Sequence, residues 1–193
     1  MNKIIFFSNN KDKVKEIKKL FNETQINILS LKDFGFDVEP KEIGKTFIEN
    51  AKIKSEFGFK SFKKPCFADD SGICIQALKN KPGVLSKRFI NNFKSKQECF
   101  KFIINEVNKT QNKDAYFKTS ICLTLSKEHH IIFEGKINGS ISRKPVGIKG
   151  FGYDPIFIPE GHNKTFGEMT QKEKNSVSHR SIAVNKLLNF LSN

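Results

Sequence analysis

Lys3 to Phe7 is an apolar run that stops at the polar stretch Ser8-Asn9-Asn10-Lys11, the signature of a short buried strand. Val14, Ile17 and Phe21 then recur at helical spacing with Lys and Glu on the opposite face, so the chain opens as strand, loop, helix. Ile26, Ile28 and Leu31 predict a second strand. From Thr46 to Phe57, Phe47, Ile48, Ala51 and Ile53 fall at helical spacing, with Thr46 as cap and Glu49 three residues on. Pro65-Cys66-Phe67-Ala68 predicts a short strand running into Asp69-Asp70-Ser71-Gly72, and Ile73-Cys74-Ile75 a strand leaving it. Residues 95 to 107 predict another helix. The strict alternation of Phe117, Thr119, Ile121, Leu123 and Leu125 is the clearest strand, and Ile131, Phe133 and Ile137 continue a partner after the Glu128-His129-His130 turn. Pro155 to Ile158 predicts a short strand, with Pro at its first residue. Ser178 opens a final helix that carries Ala183, Leu187 and Leu191 on one face. A strand-loop-helix opening combined with a long central hairpin predicts an α/β fold built on a mixed sheet. No linker, low-complexity stretch or repeat divides the chain, so one domain is expected over residues 1–193.

Composition narrows the class. The 37% hydrophobic and 28% charged content of these 193 residues excludes wholesale disorder. No apolar run approaches the roughly 20 residues of a spanning helix. The apolar stretch near the N-terminus is too short for the core of a secretory signal, so a cytoplasmic protein is expected. Cys66, Cys74, Cys99 and Cys122 are scattered, with neither metal-finger nor disulfide-framework spacing, and read as free buried thiols. The formal net charge of +14 argues for anionic partners. Yet 31 of the 34 basic residues are Lys, whereas phosphate-and-base readers lean on Arg. Lys, Asn, Ile and Phe share AT-rich codons, so solvated Lys faces account for most of the charge, and no nucleic-acid partner is expected.

Four segments carry candidate chemistry. Ser8, Asn10 and Lys13 lie between a buried strand and a helix start, a place that suits a phosphate and equally suits a helix cap, the plainer reading. Asp69 and Asp70 stand between apolar strands, where uncompensated charge is expensive. Magnesium held by one or two carboxylates plus substrate phosphates would compensate them, as would a basic partner or a polar Asp-Asp-Ser-Gly turn exposed to water. Successive side chains of an extended segment point opposite ways, so the two Asp have different roles. Phe151-Gly152-Tyr153-Asp154 places two aromatics and a carboxylate where they can stack on a base, or simply form a turn. Lys174, His179 and Arg180 crowd the start of the last helix, where cations oppose the helix dipole and call for an anionic or carbonyl-bearing ligand.

Together the segments form an ordered set. Ser8-x-Asn10-x-x-Lys13 comes first, then Glu42-x-Gly44-x-Thr46-Phe47-x-Glu49-Asn50-Ala51-x-x-Lys54 and Ala68-Asp69-Asp70-Ser71-Gly72. Pro82-Gly83-Val84-x-Ser86-x-Arg88, Gly150-Phe151-Gly152-Tyr153-Asp154-Pro155 and Glu173-Lys174-x-x-x-Ser178-His179-Arg180 follow. This order resembles the Ham1/RdgB family, the inosine/xanthosine triphosphate pyrophosphatases, and the likeness runs from Lys3 almost to the C-terminus. The resemblance implies a two-lobed α/β fold with a long mixed sheet flanked by helices, the nucleotide in the cleft between lobes, and a homodimer. It implies Mg²⁺-dependent cleavage of the α–β phosphoanhydride of ITP, dITP or XTP. Asp70 would accept the proton of the attacking water and help hold the metal, with Glu42 and Asp69 completing an acidic cluster. Ser8, Asn10, Lys13, Lys54 and Ser71 would face phosphates and sugar. Phe151, Gly152, Tyr153, Asp154, Lys174, His179 and Arg180 would form the base pocket, with His179 and Arg180, or backbone N–H groups, as donors to the purine 6-oxo group.

The chain also departs from the family pattern. Lys41 replaces the first of two consecutive acids, which leaves Glu42 alone and Glu39 as its alternative. Lys149 stands where a small residue is common, and Leu85 where an aromatic is. Rival readings are a nucleic-acid binder, an enzyme for modified pyrimidine nucleotides, and a catalytically dead sensor. Dispersed charge, the Phe-Gly-Tyr-Asp segment and the intact Asp69-Asp70 pair respectively oppose them.

Overall fold

Strand β1 (Lys3–Phe6) leads through a polar loop into helix α1 (Lys11–Phe21), as the apolar run and the helical spacing after it predict. The computed structural model describes residues 3–22 and 24–192. Strand β2 (Asn27–Ser30) is shorter than its apolar pattern, because Leu31 begins a 3-10 turn held by the Ser30–Asp33 pair. Helix α2 (Phe47–Phe62) starts at Thr46 with both halves of a capping box in place and runs past the predicted end at Phe57. Strand β3 (Cys66–Ile75) is continuous over ten residues. The short segments β4 (Lys81–Pro82) and α3 (Ser86–Asn91) follow, then α4 (Lys96–Thr110), β5 (Asp114–Thr124) and β6 (His130–Ile141). The chain ends with β7 (Phe157–Pro159), α5 (Gln171–Val177) and α6 (His179–Ser192).

The strands form one mixed sheet in the order β2-β1-β3-β5-β6-β7, with β4 paired to β3. β1 runs parallel to β2 and β3, while β4 and β7 pair antiparallel with β3 and β6. The fold class is therefore α/β, a mixed central sheet flanked by helices, as expected. By contacts the chain divides into two compact units. The first takes residues up to Asp70, Thr119–Glu134 and the chain from Ser181, and the second takes Ser71–Lys118 and Gly135–Arg180.

In the first unit, alternation along the strands fills both sheet faces. Ile4, Phe6, Ile28, Phe67, Ile121 and Leu123 pack with Ile17 and Phe21 of α1 and with Ala183, Val184 and Leu187 of α6. On the other face, Ile5, Phe7, Cys66 and Ala68 pack with Phe57 and Phe62 of α2. In the second unit, Ile73, Ile75, Phe117, Ile141 and Phe157 pack with Cys99, Phe100, Ile103 and Val107 of α4. All four cysteines are free and buried, and burial pushes each thiol above its usual range. Among the described residues no helix is long and apolar enough to cross a membrane.

Candidate active site

Asp69-Asp70-Ser71-Gly72 is not a turn. It lies within β3, and pleating sends the two carboxylates to opposite faces of the strand. Asp69 meets α1, where Lys13 Nζ lies 3.0 Å from its Oδ1. Asp70 meets α2: Asn50 Nδ2 donates to its Oδ2 at 3.1 Å, and Lys54 Nζ lies 3.8 Å from its Oδ1. Thr119 on β5 donates to the Asp70 backbone carbonyl at 3.2 Å. The helical period explains the convergence on Asp70, since Asn50 and Lys54 are one turn apart on the same face of α2.

Glu42 completes this group in the first unit, with Oε1 2.6 Å from Lys54 Nζ. Glu39 is engaged elsewhere and accepts from Asn9 N at 2.8 Å, so Glu42 is the acid that shares Lys54 with Asp70. Burial pushes the Asp70 carboxyl upward and Glu42 adds to the rise, which outweighs the opposing pull of Lys54, Lys13 and Asn50. Burial alone would lower the Lys54 pKa, but the charges of Asp70, Asp69 and Glu42 outweigh it and raise the pKa. Two acids thus press on one buried ammonium.

That donor set suits a hard cation. Among the described residues no group of three or more His, Cys, Asp or Glu forms a ready-made metal cage. Mg²⁺ does not require one, because one or two carboxylates and the substrate's phosphates usually hold it. Glu42 and Asp70 are the fitting pair, while the Asp69 carboxylate is turned to Lys13.

The first loop behaves mainly as a cap. Asn10 Oδ1 accepts from Asp12 N and Lys13 N at 3.0 and 3.2 Å, and Ser8 Oγ accepts from Asn10 N at 3.2 Å. Lys13, one turn into α1, is thereby aimed at Asp69.

The second unit gathers the remaining residues around Phe151. Lys174 Nζ lies 5.0 Å and Arg180 Cζ 5.5 Å from the centre of its ring, within cation–π range. Lys174 is buried and pairs with the buried Asp154 at 2.6 Å. Asp154 Oδ2 also accepts from Phe151 N at 2.8 Å, so this carboxylate fixes the Gly150–Asp154 turn as well as the lysine. Gly150 is required there: its φ is +72°, and an added Cβ would fall 2.0 Å from Asp154 Oδ2. Arg180 Nη2 donates to Ser71 Oγ at 3.3 Å, and His179 stacks on Phe117 with ring centres 4.7 Å apart. Tyr153 differs from the stacking role its neighbour suggests. Its ring is buried in the core, and its hydroxyl donates to Ser86 O at 2.7 Å.

Sequence reasoning missed Asn50 and Thr119 as site residues. Asn50 did carry a signal, a polar residue four places before Lys54 and beside the buried Ala51. Thr119 looked like one more strand position.

A profile of the Ham1 family matches residues 4–190. The chain belongs to the Ham1 family. A relative from Flavobacterium psychrophilum, named dITP/XTP pyrophosphatase, is 37% identical over 190 residues, covering 98% of this chain and 99% of the relative. One from Leptospira interrogans with the same name is 41% identical over 186 residues, covering 95% and 94%. The solved Ham1 protein of Coxiella burnetii superposes with a TM-score of 0.88 at 33% identity, covering 100% of this chain and 99% of that one. The Staphylococcus aureus Ham1 protein gives 0.85, also at 33% identity, with 98% of both chains covered.

Proposed function

We propose that this Ham1-family chain is a nucleoside triphosphate pyrophosphatase that hydrolyses the non-canonical purine nucleotides dITP, ITP and XTP to the monophosphate and pyrophosphate. The observation that carries the reading is Asp70: a buried carboxylate, oriented by Asn50, facing Lys54 and sharing it with Glu42. The names of the relatives support the substrate class.

In this mechanism Asp70 takes a proton from water as the water oxygen attacks the α-phosphorus. The α–β bridging oxygen leaves with the pyrophosphate. The upward push on the Asp70 carboxyl suits a general base, which needs more basicity than an ordinary carboxylate has. Lys54 and Lys13, each paired with a carboxylate, offset the negative charge of the phosphates. Glu42 and Asp70 would hold Mg²⁺, which would supply further charge neutralisation. Phe151 offers a face for the purine, with Lys174 and Arg180 fixed at its ring. A donor from His179, Arg180 or the backbone selects the 6-oxo group, because adenine's amino group would leave that donor unpaired. We place this activity in the cytoplasm, in a homodimer.

Pyrophosphate release from ITP, XTP, dITP, ATP and GTP, with Mg²⁺ and with EDTA, tests the reading. Fast Mg²⁺-dependent release from ITP, XTP and dITP, with little from ATP and GTP, is expected. No release from any purine triphosphate would overturn it.

A further inference from the structure

Asn50 makes two hydrogen bonds whose polarity is fixed. Its Oδ1 accepts from Gly44 N at 2.8 Å, and its Nδ2 donates to Asp70 Oδ2 at 3.1 Å. A backbone N–H can only donate, so the amide oxygen must face Gly44 and the amide nitrogen must face Asp70. The side chain is 2% exposed, which leaves it little freedom to turn over. Gly44 is packed onto it closely: a Cβ there would fall 2.7 Å from Asn50 Oδ1 and 3.0 Å from Asn50 N. Gly44 is two residues from Glu42, so one amide fixes both the Asp70 carboxylate and the loop that carries its acidic neighbour.

We propose that Asn50 is a positioning residue for hydrolysis: it holds the Asp70 carboxylate and the Glu42–Gly44 loop in one mutual geometry. The inference rests on the pyrophosphatase reading and adds to it a residue that touches neither the phosphorus nor the water. The donor to Asp70 sets the direction of the carboxylate's lone pairs, and a misdirected base slows the chemical step more than it weakens binding. The acceptor for Gly44 sets the loop.

The two bonds are separable. Asn50→Asp, assayed at a pH where the new carboxyl is ionised, keeps the acceptor for Gly44 and loses the donor to Asp70, whereas Asn50→Ala loses both. With ITP as substrate, kcat is expected to fall about 10- to 100-fold in both variants while KM stays within about twofold. In the metal-free protein, the Gly44 amide is expected to stay slow to exchange in Asn50→Asp and to become fast in Asn50→Ala. A control that needs no Asn50 variant compares wild type with Asp70→Ala: the Asn50 Nδ2 proton resonances should shift while the Gly44 amide stays protected. Wild-type kcat in Asn50→Asp, a loss carried by KM alone, or Asn50 resonances indifferent to Asp70→Ala would each overturn the proposal. A wild-type protein that hydrolyses no purine triphosphate is a different result; it removes the pyrophosphatase reading, and the positioning role with it.

Discussion

At the scale of the residue, the buried Asp70 carboxylate, the proposed base, makes stability depend on pH. Burial raises its pKa in the folded state above the unfolded value, so the charged form is disfavoured by folding. For such a group stability is fully present below the unfolded pKa and is lost as pH rises through the folded value. Asp70→Asn removes that loss. Its unfolding temperature relative to wild type should therefore improve as pH rises above the ordinary carboxylate range, while most turnover with ITP disappears. Thermal unfolding of both proteins across that rise, in EDTA, checks the sign. A difference that does not change with pH would mean that Lys54 and Lys13 fully offset the burial of the charge.

At the scale of the element, α2 matters most, because one helix carries Asn50 and Lys54 on its site face and Ala51, Ser55 and Gly58 on buried positions. Its start is fixed by Thr46, whose Oγ1 accepts from Glu49 N at 3.2 Å. Thr46→Ala should cost about 1 kcal/mol in a denaturant titration. Gly58 is the opposite case. A Gly-to-Ala change in a helix interior ordinarily stabilises, yet here a Cβ would meet Cys66 Sγ at 2.5 Å and Phe7 Cδ2 at 2.6 Å. Gly58→Ala should destabilise by about 1–3 kcal/mol, the range for an overpacked core. A stabilised variant would show that α2 can move off β1 and β3 without penalty.

The same element shows what the sequence makes legible. Thr46 and Glu49 announce the start of α2, and the strict alternation of β5 announces a strand, because capping and pleating are local. Asp69-Asp70-Ser71-Gly72 misleads because two acids, a serine and a glycine have turn chemistry. Only the pairing of β3 with its neighbours and the lysines of α1 and α2 make the segment affordable as strand. Helix α5 carries no apolar stripe in Gln171–Val177 and rests instead on its Thr170–Glu173 capping box, so periodicity could not reveal it. Tyr153 reads as a second base platform from its place beside Phe151, but its direction into the core depends on Ser86, 67 positions away.

At the scale of the whole molecule the charge is unevenly shared. The second unit holds 18 of the 34 Lys and Arg but only 7 of the 20 Asp and Glu, so +11 of the +14 lies in that unit. A polyanionic nucleotide approaching such a surface gains in encounter rate, and salt removes the gain. From about 0.01 to about 1 M monovalent salt the Debye length falls from about 30 to about 3 Å. Over that range KM for ITP should rise several-fold. kcat should change much less, because Lys54, Asp70, Lys174 and Asp154 are buried and buried charges are screened weakly. Steady-state kinetics at fixed Mg²⁺ across the salt series separates the two. Inhibition by long polynucleotides at low salt would instead assign the lysines to a nucleic-acid surface. A flat KM would leave them as solvated faces whose number reflects codon composition, with the nucleotide guided by the buried cluster alone.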